Sequence, residues 1–212
     1  MDEKIEAVLA RYNERCAREN LLLRALPLEE SMRRVDEFLI SIGPEAGTLL
    51  NLLIKGAGSR AILEIGTSFG HSTIYLAEAA RASGGKVTSI DLNAEKQRHA
   101  RAELEAAGLA PFAELVNGDA RAVIAALPGP FDFVLIDLWK DLYIPCFDLV
   151  YPKLADGALV IADNILIPEF WRGDMAVYQR HVRSRAGIES VLLQVGNGIE
   201  LSRYAGKADG LA

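Results

Sequence analysis

Apolar positions at the start of the chain recur with helical spacing. Ile5, Val8, Leu9, Tyr12 and Cys16 lie three and four residues apart and share one face of an amphipathic helix. Pro27 breaks that run. Leu28, Met32, Val35, Phe38 and Leu39 then make a second face, and Gly43-Pro44 makes a turn. Pro44 opens a third helix through Leu53, with Gly56 as its stop. Beyond residue 57 the period shortens. AILEIG (61–66), KVTSID (86–91), FAELVNG (112–118), FDFVLID (131–137) and GALVIAD (157–163) are short β-rich runs with helical patterns between most of them. Asn93 is placed to cap one of those helices and Gly108 to end it. Alternation of this kind predicts βαβ units and a parallel sheet, and the near-continuous apolar FDFVLI predicts helices on both faces. IESVLLQV (188–195) and IELSRY (199–204) are separated by Gly196-Asn197-Gly198, which predicts an antiparallel hairpin.

The expected fold is therefore α/β, with a seven-stranded mixed sheet of five parallel strands and a C-terminal antiparallel hairpin. It forms a single domain over residues 1–212. N-terminal helices over 1–56 cover the site, the sheet and site occupy 57–205, and 206–212 form a loose tail.

Composition narrows the picture further. The chain has 212 residues, half of them hydrophobic, enough for one well-filled domain. A net charge of −6 gives no electrostatic footprint for DNA or RNA and argues against a nucleic-acid partner. Cys16 and Cys146 make no disulfide framework and read as reduced thiols. MDEKIEAVLARYNER has no apolar signal-peptide region, and no apolar run approaches the ~18 residues of a membrane span. A soluble, cytoplasmic protein is expected.

In an open α/β sheet, ligands bind beyond the carboxyl ends of the strands, so the residues that end each strand carry the chemistry. The first strand runs into EIGTSFGHS, with Glu64, Gly66, Gly70 and Ser72. A Gly-rich turn lets a ligand approach the backbone, and the helix N-terminus after it favours an anionic group. The second strand ends in Asp91, placed to accept both hydroxyls of a ribose. Ser68 and His71 stand where a dinucleotide loop would need glycine, so a ligand with a ribose and one carboxylate fits better than a pyrophosphate. The fourth strand ends in Asp137 and the fifth in Asp163-Asn164. If the two strands are neighbours, about 4.8 Å apart, three oxygen ligands converge on one point and suit a hard cation such as Mg²⁺. No Cys/His cluster exists for zinc. As plain structure, the glycines would only turn the chain and the acids would cap helices. Lys140 would then be a surface charge paired with Asp141.

These residues resemble those of the cation-dependent S-adenosylmethionine O-methyltransferases, and most of all the catechol branch of that family. The resemblance runs from about Phe38 to Tyr204 and implies a Rossmann-like class I methyltransferase fold. EIGTSFGHS is similar to the family's cofactor loop, which puts Glu64, Gly66, Thr67, Ser68 and Ser72 at S-adenosylmethionine, with Ile42 ahead of them. IDLN carries the ribose acid as Asp91, with Leu92 beside it, and NGDA resembles the adenine-contact segment, with Asp119 and Ala120. IDLWKDLY is similar to the segment that holds the first metal ligand Asp137, itself beside the cofactor. The same segment holds the aromatic wall Trp139, the catalytic Lys140 and a second acid. ADN matches the remaining metal ligands, Asp163 and Asn164. NGIELS resembles the hairpin that orients substrate, through Glu200. Phe38, Lys140, Asn164 and Glu200 would face the substrate. The Trp-Lys-Asp run is the specific part of the match.

Two positions depart from the catechol branch: Leu138 replaces a histidine, and Phe38 replaces a tryptophan that gates the substrate. The activity implied is Mg²⁺-dependent O-methylation of a catechol or other vicinal-diol phenolic small molecule, by a monomer or homodimer. The alternatives are the same chemistry on a coenzyme-A ester or a tRNA hydroxyl, a nicotinamide-dependent oxidoreductase, or a non-catalytic nucleotide-binding module.

Overall fold

The computed structural model describes residues 1–206. Helix α1 (Glu3–Ala25) starts at Asp2, whose carboxylate accepts the Ile5 N–H, and buries Ile5, Val8, Leu9 and Tyr12 along its first half. Helix α2 (Leu28–Arg34) is shorter than the apolar spacing predicts. It buries no residue, leaves Leu28 67% exposed, and gives way to a 3₁₀ turn over Val35–Glu37. Its Glu and Arg side chains pair with one another at the surface, Arg33 with Glu30 and Arg34 with Glu37, and hold the segment in water. Only Phe38 and Leu39, past the helix, turn inward. Helix α3 (Pro44–Ala57) runs through Gly56 and stops at Gly58, which takes the left-handed conformation at φ 67°.

The sheet has the order β3-β2-β1-β4-β5-β7-β6. Its strands are β1 (Ala61–Ile65), β2 (Lys86–Asp91), β3 (Ala113–Asn117), β4 (Phe131–Ile136), β5 (Leu154–Ala162), β6 (Ile188–Leu193) and β7 (Ile199–Tyr204). The first five pair parallel, and β7 pairs antiparallel with both β5 and β6. Building proceeds from β1 to β2 and β3 on one side, then restarts with β4 and β5 on the other. The carboxyl ends of β1 and β4 therefore flank a topological switch point, where such sheets open a crevice.

Side-chain alternation divides the core in two. Ile62, Phe133, Leu135, Ile161 and Ile199 pack under α1, α3, α4 (His71–Ser83) and α5 (Ala94–Ala106). Leu63, Ile65, Val134, Ile136 and Val160 pack under α6 (Ala120–Ala126), α7 (Tyr143–Val150) and α8 (Arg172–Arg183). The β6–β7 turn does more than reverse the chain. Gly198 O accepts from Ile165 N and Asn197 O from Leu166 N, which ties the turn to the loop leaving β5. Helix α1 lies against α4 and α5, and the Tyr12 hydroxyl donates to Phe69 O at 2.5 Å. No helix among the described residues is long and apolar enough to cross a membrane. The loose tail expected over 206–212 lies, past Gly206, outside the described residues.

The closest backbone approach sits at the switch point. Gly66 has φ 109°, and a Cβ there would stand 1.8 Å from the Asp137 carbonyl oxygen. Gly66→Ala should therefore cost about 2–6 kcal/mol, as strain and overpacking add. Gly84→Ala, at a left-handed position with open space around it, should cost only about 1–3 kcal/mol. Urea unfolding of the two variants checks the difference, and equal losses would contradict it.

Candidate active site

The loop after β1 is built on a buried acid. Glu64 is fully buried and accepts three hydroxyl bonds, from Ser72 at 2.5 Å, Thr73 at 2.6 Å and Ser89 at 2.5 Å. Thr67 Oγ1 lies 2.6 Å from Ser89 Oγ and extends the network toward the loop. Burial outweighs the three hydroxyls and pushes the Glu64 carboxyl up to about 7. Gly66 N and Thr67 N both donate to Ile90 O, and Ser68, with φ 47°, donates its N–H to Asp91 Oδ2 at 2.7 Å. Asp91 Oδ1 accepts from Asn93 N at 2.8 Å. The ribose acid expected from sequence is thus oriented by backbone on both sides. It does not cap α5; Asn93 does, accepting from Glu95 N and Lys96 N.

The second half of the site lies where β4 and β5 end. Asp137 N donates to Ile65 O and Asp163 N to Ile136 O, so strands β1, β4 and β5 are stitched together at their last residues. Asp163 is 0% exposed, and neither of its carboxylate oxygens has a hydrogen-bond partner. An unpartnered buried carboxylate is costly unless a cation or a proton compensates it. Burial pushes the Asp137 carboxyl up, opposed by Lys140. Burial and the neighbouring Asp137 push Asp163 well above the carboxylate range. Asn164 follows in the left-handed conformation at φ 57°, which asparagine tolerates.

Lys140 Nζ donates to Asn164 Oδ1 at 3.0 Å and to the Tyr143 hydroxyl at 2.5 Å. Burial holds its amine below the usual lysine range, while Asp137 and Asp163 pull the other way. Lys140 makes no ion pair with Asp141 among the described residues. A cleft of about 190 Å³ opens beside it, walled by Ile144, Trp171, Val177 and Tyr178. No group of three His, Cys or acidic side chains suited to a metal occurs among the described residues. The candidate set is two carboxylates and an amide oxygen, hard ligands that suit Mg²⁺ better than zinc.

Other predicted residues fall as follows. Trp139, 46% exposed, and Leu92, 75% exposed, stand at the open surface after β4 and β2. Ile42 is buried in the α1–α4 core layer. Asp119 caps α6 by accepting from Arg121 N and Ala122 N and pairs with the Arg121 side chain, while Ala120 opens that helix. Phe38 is buried, with the Arg34 guanidinium 5.6 Å from its ring.

Strand alternation puts Glu200 on the α8 face of the sheet, opposite Ile199 and Leu201, and its carboxylate accepts from Arg183 at 2.7 and 3.0 Å and from Gln179 at 2.7 Å. The acid expected to orient substrate is thus already held by two partners on α8. Sequence reasoning missed Tyr143, the last letter of IDLWKDLY. An aromatic three residues after Lys140 was the available signal.

The architecture and strand-end chemistry define a Rossmann-like class I methyltransferase. Residues 63–165 match a family described as a methyltransferase domain. Catechol O-methyltransferase of Mycobacterium tuberculosis is 34% identical over 128 residues, 60% of this chain and 58% of that protein. Caffeoyl-CoA O-methyltransferase 1 of Zea mays is 27% identical over 202 residues, 82% of this chain and 78% of that protein. An O-methyltransferase from Bacillus cereus, solved in complex with SAH, superposes with a TM-score of 0.75 at 25% identity, covering 96% of this chain and 91% of that one. These matches all fall among S-adenosylmethionine O-methyltransferases of the catechol and caffeoyl-CoA kinds, which this chain resembles in sequence and fold. It spans about three fifths of the curated catechol O-methyltransferases it matches, 58% and 59% of their lengths.

Folded Glu64 keeps its proton up to about pH 7, against an ordinary value of 4.5. The folded state thus binds more protons than the unfolded one between those values, and stability falls as pH rises through the window. Wild-type stability relative to Glu64→Gln should therefore drop by about 3 kcal/mol between pH 4.5 and 7.5. Urea unfolding across pH, with cation removed, checks this; a pH-independent difference would contradict it.

Proposed function

We propose that this chain transfers the methyl group of S-adenosylmethionine to a hydroxyl of a catechol or similar vicinal-diol small molecule, with a divalent cation held by Asp137, Asp163 and Asn164. The carrying observation is Asp163: a fully buried carboxylate with two unpartnered oxygens, beside a second, half-buried carboxyl and a half-buried lysine. Those residues fit a cation better than they fit each other. When bound, the cation supplies Lewis acidity that favours the ionised form of a neighbouring hydroxyl.

The rest is work for the chain's own groups. Asp91, fixed by Ser68 N and Asn93 N, has lone pairs left for the ribose hydroxyls. The N-terminus of α4, at His71 and Ser72, has no side-chain cap and would suit an anionic group of the cofactor. Gly66 lets the Asp137 carbonyl pack against the loop and so brings the two halves of the site together. Trp139 offers a flat apolar wall at the rim. Lys140, neutral more readily than an ordinary lysine because of its desolvation, would take the proton from the substrate hydroxyl and leave an oxygen nucleophile.

A second reading keeps the chemistry and changes the substrate. Alignments to caffeoyl-CoA O-methyltransferases cover 76–84% of those relatives, against 58% for the catechol O-methyltransferase of Mycobacterium tuberculosis. A caffeoyl group itself carries a catechol ring, so the two readings differ in the tail rather than the reacting end.

One experiment tests the reading. The protein is dialysed against EDTA and assayed by mass with S-adenosylmethionine, with and without Mg²⁺, on catechols, matched monophenols, a caffeoyl-coenzyme-A ester and tRNA. Activity should vanish in EDTA and return with Mg²⁺. Catechols should outpace monophenols by about a hundredfold, since a chelated ring is positioned and a singly held one is not. Lys140→Ala should lower kcat by about 10²–10⁴ with cofactor affinity little changed. Full activity in EDTA, or equal rates on phenol and catechol pairs, would overturn it.

A further inference from the structure

Tyr143 opens α7 and is completely buried. Its hydroxyl lies 3.0 Å from the backbone carbonyl of Asp163 and 2.5 Å from Lys140 Nζ. A carbonyl oxygen only accepts, so the direction of the first bond is fixed: the phenol donates to Asp163 O. The phenol oxygen is then left as an acceptor, and Lys140 is its donor. On the other side of the amine stands Asn164 Oδ1 at 3.0 Å, again an acceptor. The remaining neighbour, Leu138 O at 3.5 Å, is too distant to compete.

This inventory constrains the amine. A neutral lysine has two N–H groups and one lone pair. In the reading above the Asn164 oxygen serves the cation, so the phenol oxygen is the hold on Nζ that stays, and its own bond to Asp163 O ties that hold to the end of β5. Remove the phenol oxygen and Nζ is released to turn about Cε–Nζ. The ring also supports the stem, since Nζ sits 4.3 Å from its centroid and Tyr178 packs against it edge-on at 5.4 Å. The same hydroxyl holds the backbone of Asp163, so one atom sets the spacing of Lys140 and the strand end that carries that carboxylate.

We infer that Tyr143 is a positioning residue for Lys140, holding Nζ in place beside the strand end that carries Asp163; this rests on the O-methyl-transfer reading above, in which Lys140 takes the proton. Tyr143 does not touch the transferred methyl. Its main contribution is expected at the proton-transfer step, where Lys140 acts, which distinguishes it from a residue that merely fills the core.

The test uses Tyr143→Phe, Lys140→Met and the double variant in the full chain with Mg²⁺. On an unsubstituted catechol, Tyr143→Phe should lower kcat about ten- to a hundredfold and change KM by less than about threefold. On a nitrocatechol, whose hydroxyl is already ionised at the assay pH, the loss should shrink to about threefold or less, because no proton need be taken. In the Lys140→Met background, adding Tyr143→Phe should cost less than about twofold more. Equal losses on both catechols, or losses that multiply in the double variant, would overturn the inference.

A readout without turnover separates the inference from the reading it rests on. In protein carrying ¹³C-lysine, the two Hε protons of a fixed Lys140 have separate shifts in the wild type and merge in Tyr143→Phe. Merged Hε shifts in the wild type overturn the positioning role, even if Tyr143→Phe does not fold. Separate shifts in a wild type that methylates no catechol retain the positioning and overturn the O-methyl-transfer reading alone.

Discussion

The site depends on a backbone contact between Gly66 and Asp137. These residues end β1 and β4, the two neighbouring strands at which the sheet changes its direction of building. The Asp137 N–H donates to Ile65 O, and the space a Gly66 side chain would need is taken by the Asp137 carbonyl. One contact therefore joins the loop that runs from Gly66 to Ser72 with the loop that runs from Asp137 to Tyr143. In the proposed reaction the first loop holds the methyl donor and the second holds cation and base. Reacting atoms must meet within about 3–3.5 Å, and small displacements are expensive in rate. A glycine at this junction lets the two loops be set by sheet geometry rather than by flexible side chains.

The acids on this edge are handled in two different ways. Glu64 is buried among hydroxyls, with three donors on its two oxygens, and needs no further partner. Asp163 is as deeply buried and has none. Folding has brought Asp163 beside Asp137, so each carboxyl raises the energy of the other's ionised form, and Lys140 opposes this only in part. The local structure does not relieve the conflict, although β5 and α7 are otherwise well packed there. Frustration of this sort in an otherwise consistent fold points to a ligand that resolves it.

Much of this was legible in the sequence, for identifiable reasons. Strands β1 and β4 were readable because they are mostly apolar and buried on both faces, and β2 because of its β-branched and apolar alternation; Asp91 and Asp137 marked where β2 and β4 end. The early start of β5 at Leu154 was hidden by Asp156-Gly157, which reads as a turn and lies in the irregularity between Leu154, paired with Phe131, and Leu159, paired with Phe133. The second helix was over-extended because Leu28, Met32 and Val35 have helical spacing, yet the surrounding charges keep that segment at the surface. The partners of Glu200 were hidden for a different reason. Its motif fits the family, but which face of β7 it occupies, and that Arg183 on α8 reaches it, are tertiary facts no local pattern contains. Tyr143 was invisible as a partner of Lys140 for the same reason, because its second bond goes to a carbonyl twenty residues further on.

The N-terminal helix adds a last constraint on the cofactor loop. Phe69 sits at its outer bend, and three groups from α1 and α5 converge there. Tyr12 donates to its carbonyl, the Arg15 guanidinium lies 4.0 Å above its ring, and His99 meets that ring edge-on at 5.4 Å. Glu19, further along α1, accepts from Leu39 N and pairs with Arg15. Gly70, next to Phe69, has Ala100 of α5 where a Cβ would go, so the bend cannot move outward past α5 and is held from above by α1. The loop is thus pinned at both ends of its arc: by Gly66 against Asp137 on the sheet side, and by Phe69 under α1 on the solvent side. Between those pins lie Thr67 and Ser68, whose amides are already committed to Ile90 O and Asp91. A ligand entering the crevice meets a loop with little freedom to lose, which lowers the ordering cost of binding. The helices outside the sheet therefore bear on the site even though none of α1's side chains reaches the strand ends where the chemistry is proposed.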